Sequence, residues 1–144
     1  VARNAGTNQG AVFWLGDKDS TADFWDLEFR GGGAAIGWRS DDSAGVLAET
    51  SAEYSSATTY LLWGQESSAT SRAVEINGES QGTNTTDTTP DNADRIGLGG
   101  FLDSTPAVYL NGSIGFVLLL NTDSTAQQAV MEAWVADEFG ITMA

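Results

Sequence analysis

Apolar and polar side chains alternate along most of this chain with a period of two. In residues 23–30 the apolar side chains of Trp25, Leu27 and Phe29 share one face of an extended chain, and positions 26, 28 and 30 carry charges on the other. This alternation is typical of a half-buried antiparallel strand whose charged face meets solvent. Turn-forming clusters of Gly, Ser, Thr, Asn and Asp separate such segments. Further strands are predicted at 11–15, 34–39, 46–49, 58–64, 72–77, 95–98 and 107–110.

A different pattern occupies residues 114–120, where apolar residues stand at both odd and even positions around Gly115. A strand that is apolar on both faces needs cover on both sides, so this segment is predicted to be a central strand. A hairpin is predicted where the strand 72–77 meets the Asn77-Gly78 pair, because both residues tolerate a positive φ.

One helix stands out from this β pattern. Ser124 with Gln127, or Thr125 with Gln128, matches a capping box, so a helix is predicted at about 124–139. Its apolar residues recur at intervals of three and four and form one stripe, which holds Val130, Met131, Trp134, Val135 and Phe139. We expect Val130 and Trp134 to pack this stripe against the strands, and Gly140 to end the helix.

Short strands, one terminal helix and no βαβ alternation predict an all-β, two-sheet antiparallel sandwich. Two segments resemble the end of LamG-like domains. One is 110–121, which contains an Asn-Gly-x-Ile turn and an apolar run, and the other is the aromatic-Gly-apolar triplet 139–141. The resemblance implies a concanavalin A-like jelly roll. Glu138 departs from the LamG-like sequence pattern, since these domains often have a basic residue at that position. Residues 1–144 are interpreted as a single LamG-like domain, with 1–12 as an anchoring arm.

The composition removes several function classes. The chain has no Cys and no His, which excludes disulfides, thiolate chemistry and the commonest general base. No apolar run is long enough for a membrane span, so no membrane insertion is expected. A net charge of −14 opposes binding to nucleic acid and to anionic lipid. An acidic surface in a saline medium, where salt screens the repulsion, is the simplest interpretation of this charge.

A polysaccharide hydrolase is the enzyme class that the fold would allow. Such enzymes place catalytic carboxylates on one strand in a pattern similar to Glu-x-Asp-x-(x)-Glu. Here Asp26 and Glu28 share a face, but Phe24 stands where the first Glu should be. Because Arg30 lies on the same face, an ion pair explains the carboxylates without catalysis. No catalytic residue is therefore assigned.

Two sets of candidate binding residues remain. Asp17 and Asp19 offer oxygen ligands at alternating spacing, and LamG-like domains often hold calcium at a loop rim. Calcium is thus the one cofactor that the chain could use, although none is required. Tyr54 and Tyr60 flank a segment rich in Ser and Thr, which predicts exposure and stacking on a sugar ring. Trp63 alternates with Leu61 and is assigned to the core instead.

Three functions fit these observations. The favoured hypothesis is a non-enzymatic structural or adhesion domain that decorates a viral particle from a saline environment, acting through protein partners and as a homo-oligomer. The alternative is a carbohydrate-binding module of a secreted or cell-surface protein, with a glycan as partner. A polysaccharide hydrolase is the least favoured. The first two place the protein outside the cell or on a virion surface.

Overall fold

The computed structural model describes residues 1–6, 8–31, 36–41, 45–50, 54–121 and 125–144. The predicted strand positions 34 and 35 and the helix cap Ser124 lie outside these residues. The described elements, in chain order, are β1 (Ala2–Asn4), β2 (Gly10–Gly16), β3 (Phe24–Phe29), β4 (Ile36–Asp41), β5 (Val46–Glu49), β6 (Thr59–Tyr60), β7 (Leu62–Ser68), β8 (Ser71–Ile76), β9 (Glu79–Asn84), β10 (Arg95–Leu98), β11 (Gly112–Ile114) and α1 (Thr125–Phe139).

The described strands pair antiparallel in three sheets. The largest has five strands in the order β10-β2-β3-β4-β5, and the other two have the orders β7-β8-β9 and β11-β1-β6. Strands β3, β4 and β5 contact strands of the β7-β8-β9 sheet, so these two sheets face each other. The predicted antiparallel sandwich with one C-terminal helix is confirmed.

The turn between β8 and β9 follows directly from the sequence. Asn77 and Gly78 adopt positive φ angles of 52° and 84°, which a two-residue hairpin turn of the right twist requires. Asn77 also joins this turn to the start of β7, because its Oδ1 accepts a hydrogen bond from the amide of Leu61, the residue before that strand, at 2.9 Å. The hairpin prediction is confirmed.

Apolar side chains from both facing sheets and from β1 form the central core. Phe29 and Tyr54 pack edge to face with ring centroids 4.8 Å apart, and Val12, Leu62 and Val74 surround them. A second cluster lies on the other face of the large sheet, where Trp14, Phe24 and Phe101 meet. The large sheet is therefore covered on both faces.

The segment 114–120 is not the central strand that its pattern predicts. Strand β11 ends at Ile114. Its pairing with the start of the chain ends two residues later, where the Gly115 amide donates to the Val1 carbonyl and the Val1 amino group donates to the Phe116 carbonyl. Within the described residues no strand pairs with 117–120. Leu118, Leu119 and Leu120 consequently remain 45–51% exposed.

Helix α1 docks by different residues from those expected. Val130 is 68% exposed and Trp134 is 44% exposed, whereas Val135 is fully buried against Val1 and Leu61. The prediction that Val130 and Trp134 provide the main packing is wrong, because the helix meets the strands along a narrow edge of its apolar stripe. Trp134 still packs edge to face on Phe116, with ring centroids 5.1 Å apart.

Gly140 ends α1 as predicted, with a positive φ of 64° that suits a helix C-terminus. The segment 1–12, interpreted as an anchoring arm, supplies β1 and the start of β2. Strand β1 lies in the middle of its sheet, between β11 and β6. Removal of this segment would therefore damage the sandwich itself, and an anchoring role for it stays a prediction.

Candidate functional site

The acidic side chains of β3 are buried, although the sequence pattern places them in solvent. Asp26 and Glu28 are both 0% exposed. Glu28 forms an ion pair with Arg30 and accepts a hydrogen bond from Gln9 Nε2 at 2.5 Å. The expected solvent-facing position is wrong because the segment that contains Phe101, Leu102 and Val108 covers this face of the sheet. The ion pair of Glu28 with Arg30 is present, but it joins residues two apart along the chain and not the cross-strand pair that the sequence predicts.

The candidate calcium loop is held by a lysine. Asp17 Oδ1 accepts a hydrogen bond from the Asp19 amide at 2.8 Å, and Lys18 Nζ lies 2.5 Å from Asp19 and 2.9 Å from Asp94. Hydrogen bonds to these two carboxylates raise the pKa of Lys18, and the hydrogen bond from Lys18 lowers the pKa of Asp94. Among the described residues, no group of three or more metal-ligating side chains comes together. Calcium binding by Asp17 and Asp19 stays a prediction.

Tyr54 and Tyr60 do not form an exposed pair. Tyr54 is 5% exposed, and its hydroxyl accepts a hydrogen bond from Asn4 Nδ2 and donates one to the Gly6 carbonyl, at 3.1 and 3.2 Å. Burial raises the pKa of this hydroxyl. The expected exposure of Tyr54 is wrong because its ring belongs to the central core. Tyr60 is half-buried and accepts a hydrogen bond from the Ser55 amide at 2.8 Å.

The described structure contains a cleft of about 1010 Å³. Strands β2 and β3 line it through Leu15 and Trp25, and the edge strand β7 lines it through Trp63. Both tryptophans are half-buried, so part of each side chain remains accessible. The segment 117–121 and the helix residue Gln128 complete the lining.

Polar groups gather at one end of this cleft. The polar side chains that line it are Gln65, Glu66, Ser67, Ser68, Asn121 and Gln128. Amides, hydroxyls and a carboxylate together both donate and accept hydrogen bonds. Apolar walls with a few converging polar groups are the usual features of a small-molecule site.

The buried side chain of Arg72 holds Glu66, one of the polar residues that line the cleft. This side chain is buried, and its guanidinium donates to the carbonyls of Ala69 at 2.7 Å and Thr86 at 2.6 Å. Its Nε lies 3.4 Å from Glu66 Oε2. One arginine therefore ties the β7–β8 turn, the segment after β9 and the carboxylate of the cleft wall into one rigid unit.

Comparison with known proteins gives one informative similarity. No family model matches this chain, and no curated protein matches its sequence. Among solved structures, the chain is similar to the CBM40 carbohydrate-binding module of the Ruminococcus gnavus IT-sialidase, bound to α2,3-sialyllactose. The TM-score is 0.66 at 14% sequence identity, over 78% of this chain and 68% of the module.

This similarity shows the fold. The chain is a jelly-roll β-sandwich with one C-terminal helix. Within the described residues, no helix is long and apolar enough to cross a membrane.

Sequence reasoning missed the cleft. The sequence pattern assigns Trp63 to the core because it alternates with Leu61, and it places Trp25 on the apolar face of its strand with Leu27 and Phe29. An alternating pattern shows which side chains face inward, but it carries no information on how far apart the two facing sheets stand. The separation decides whether an inward tryptophan is packed or lines a cavity.

Proposed function

We propose that this chain is a non-enzymatic carbohydrate-binding domain of an extracellular protein, and that the cleft between β3 and β7 holds the sugar. The observation that carries this proposal is that Trp25 and Trp63 are both half-buried and both line this one cleft. A sugar ring has apolar C–H faces that stack on an indole and hydroxyl groups that need amide or carboxylate partners. The cleft offers both kinds of partner.

Two further observations support the proposal. The similar module is a carbohydrate-binding domain, and the similarity covers most of this chain. Asp26 and Glu28, the two carboxylates considered for hydrolysis, are buried beneath the segment that contains Phe101, so a polysaccharide cannot lie against them. The segments 110–121 and 139–141 resemble the end of LamG-like domains, and this resemblance supports a LamG-like subtype as part of the proposal.

The particle-decoration hypothesis receives less support than this alternative. The similar solved structure is a glycan-binding module, which supports the alternative more directly. Protein partners and self-association stay predictions. If they exist, the exposed residues Leu118, Leu119 and Leu120 are the surface to test first.

The test is binding to a glycan array, followed by titration calorimetry with the best oligosaccharide. Trp25→Ala and Trp63→Ala should each weaken binding by at least about tenfold, because each removes one stacking platform. Trp63→Phe keeps an aromatic ring and should lose less. Trp134→Ala is the matched control, since Trp134 is half-exposed on α1 and does not line the cleft.

Two results would overturn the proposal. One is the absence of binding to any glycan. The other is equal loss in the Trp134→Ala control, which would show that the tryptophans act through stability. Circular dichroism of each variant separates this second case from loss of the site.

A further inference from the structure

We infer, on the basis of the proposed function, that the ligand of this cleft is an uncharged glycan. The specificity of this chain then differs from that of the sialyllactose-binding module that the chain resembles in fold. The inference rests on the charges around the cleft. Among the described residues that line it, the one ionisable side chain is Glu66, and no lysine or arginine is present. A carboxylate on the ligand would therefore meet a like charge and no counter-ion.

The basic residue nearest to this wall is already engaged. Arg72 is 2% exposed and directs its Nη1 and Nη2 groups to the carbonyls of Thr86 and Ala69. Its Nε faces Glu66. A planar guanidinium whose three nitrogen atoms are all directed at protein oxygens has no edge left for the bidentate pairing that a ligand carboxylate needs.

Other cations of the described structure are also paired within the protein. Lys18 lies between Asp19 and Asp94, and Arg30 contacts Glu28 and Glu49. At the scale of the whole chain, a net charge of −14 adds a long-range repulsion for any anionic ligand.

Glu66 has a positive role toward an uncharged sugar. A carboxylate accepts hydrogen bonds at two oxygen atoms, and Arg72 contacts Oε2. Sugar hydroxyls are neutral donors, and a hydrogen bond from a hydroxyl to an ionised acceptor is stronger than one between neutral groups. Gln65 adds an amide group that both donates and accepts. Gln128 adds a carbonyl acceptor, because its Nε2 group donates to Glu75 and Glu132. The polar end of the cleft therefore suits a ligand that is rich in hydroxyls and carries no charge.

The experiment uses the whole chain on an array that pairs each neutral oligosaccharide with its sialylated or carboxylated form. Neutral members should bind at least about tenfold more tightly than their acidic partners, because one like charge faces the ligand in a partly dry site. The difference should shrink as salt is raised, since screening weakens the repulsion.

Glu66→Gln tests the named residue. It removes the like charge, keeps a carbonyl acceptor and leaves the cation of Arg72 uncompensated, so the preference for the neutral partner should fall several-fold or reverse. Glu138→Gln makes the same change of net charge on the exposed side of α1, outside the cleft, and should leave the preference unchanged.

The outcomes separate the two proposals. Binding to no glycan overturns the proposed function and this inference with it. Glycan binding with equal or tighter affinity for the acidic partners overturns the inference alone. An equal response of Glu66→Gln and Glu138→Gln would show that net charge, and not this site, sets the preference.

Discussion

At the scale of single residues, Glu28 shows how this acidic chain keeps a carboxylate inside a sheet. Its side chain is fully buried and is held by Arg30 and Gln9, while Arg30 also reaches Glu49 at 3.4 Å. A buried charge is tolerated when hydrogen-bonding and charged partners replace the water that it has lost. Removal of one partner leaves the other group without this compensation.

We predict that Glu28→Ala lowers the free energy of unfolding by about 3 kcal/mol, because it leaves a cavity and strips Arg30 of its buried partner. Urea unfolding at neutral pH measures this difference. Glu79→Ala, an exposed glutamate on β9, is the matched control and should change the free energy by less than about 0.5 kcal/mol. Equal effects in the two variants would contradict the account of Glu28.

At the scale of elements, the attachment of α1 depends on one side of its apolar stripe. Val135 is fully buried in a cluster with Val1, Leu61 and Ile141, and Val130 on the same helix is largely exposed. The two residues have the same side chain and the same helix propensity, so a comparison between them isolates burial.

We predict that Val135→Ala costs about 2 kcal/mol of stability and that Val130→Ala costs less than about 0.5 kcal/mol. Chemical denaturation followed by tryptophan fluorescence gives both values. A larger loss for Val130→Ala would show that the helix docks by the face originally expected from the sequence.

Most elements with a clear period lie where the sequence predicts them, but the strand predicted at 107–110 is wrong, since only an isolated bridge joins Ala107 to Phe101. Strands β2, β3, β5, β8 and β10 stand where alternation places them, and the Asn77-Gly78 turn follows from the backbone freedom of its residues. Strand β1 is too short to show a period, and β9 is a polar segment whose pairing comes from the hairpin. The run 114–120 is apolar enough for a central strand, but pairing depends on neighbours that no local pattern encodes. The cleft was missed for the same reason.

At the scale of the whole molecule, the excess of carboxylates governs the response to salt. The chain carries 20 acidic and 6 basic residues, and several of the basic ones already pair with acidic neighbours. The remaining carboxylates repel one another most strongly in the compact state, where they are closest together.

We predict that the melting temperature rises by several degrees between about 0.05 M and about 1 M NaCl, as the screening length falls from above 10 Å to about 3 Å. Differential scanning calorimetry provides the measurement. Chloride salts are preferred because sulfate would raise the melting temperature by exclusion from the surface alone. A flat or falling curve would remove the saline-medium interpretation of the acidity.

The position of β1 also constrains how the protein can be made. Ala2 pairs with Ile114 on one side and with Tyr60 on the other, so the sheet joins the beginning of the chain to a segment near its end. Pairings over such long sequence distances are slow to form because the intervening chain must first be closed into a loop. During translation, which proceeds at about 5–20 residues per second, β11 follows β1 by several seconds. Strand β1 lacks its β11 partner during that time, so this sheet closes only after most of the sandwich has been synthesised.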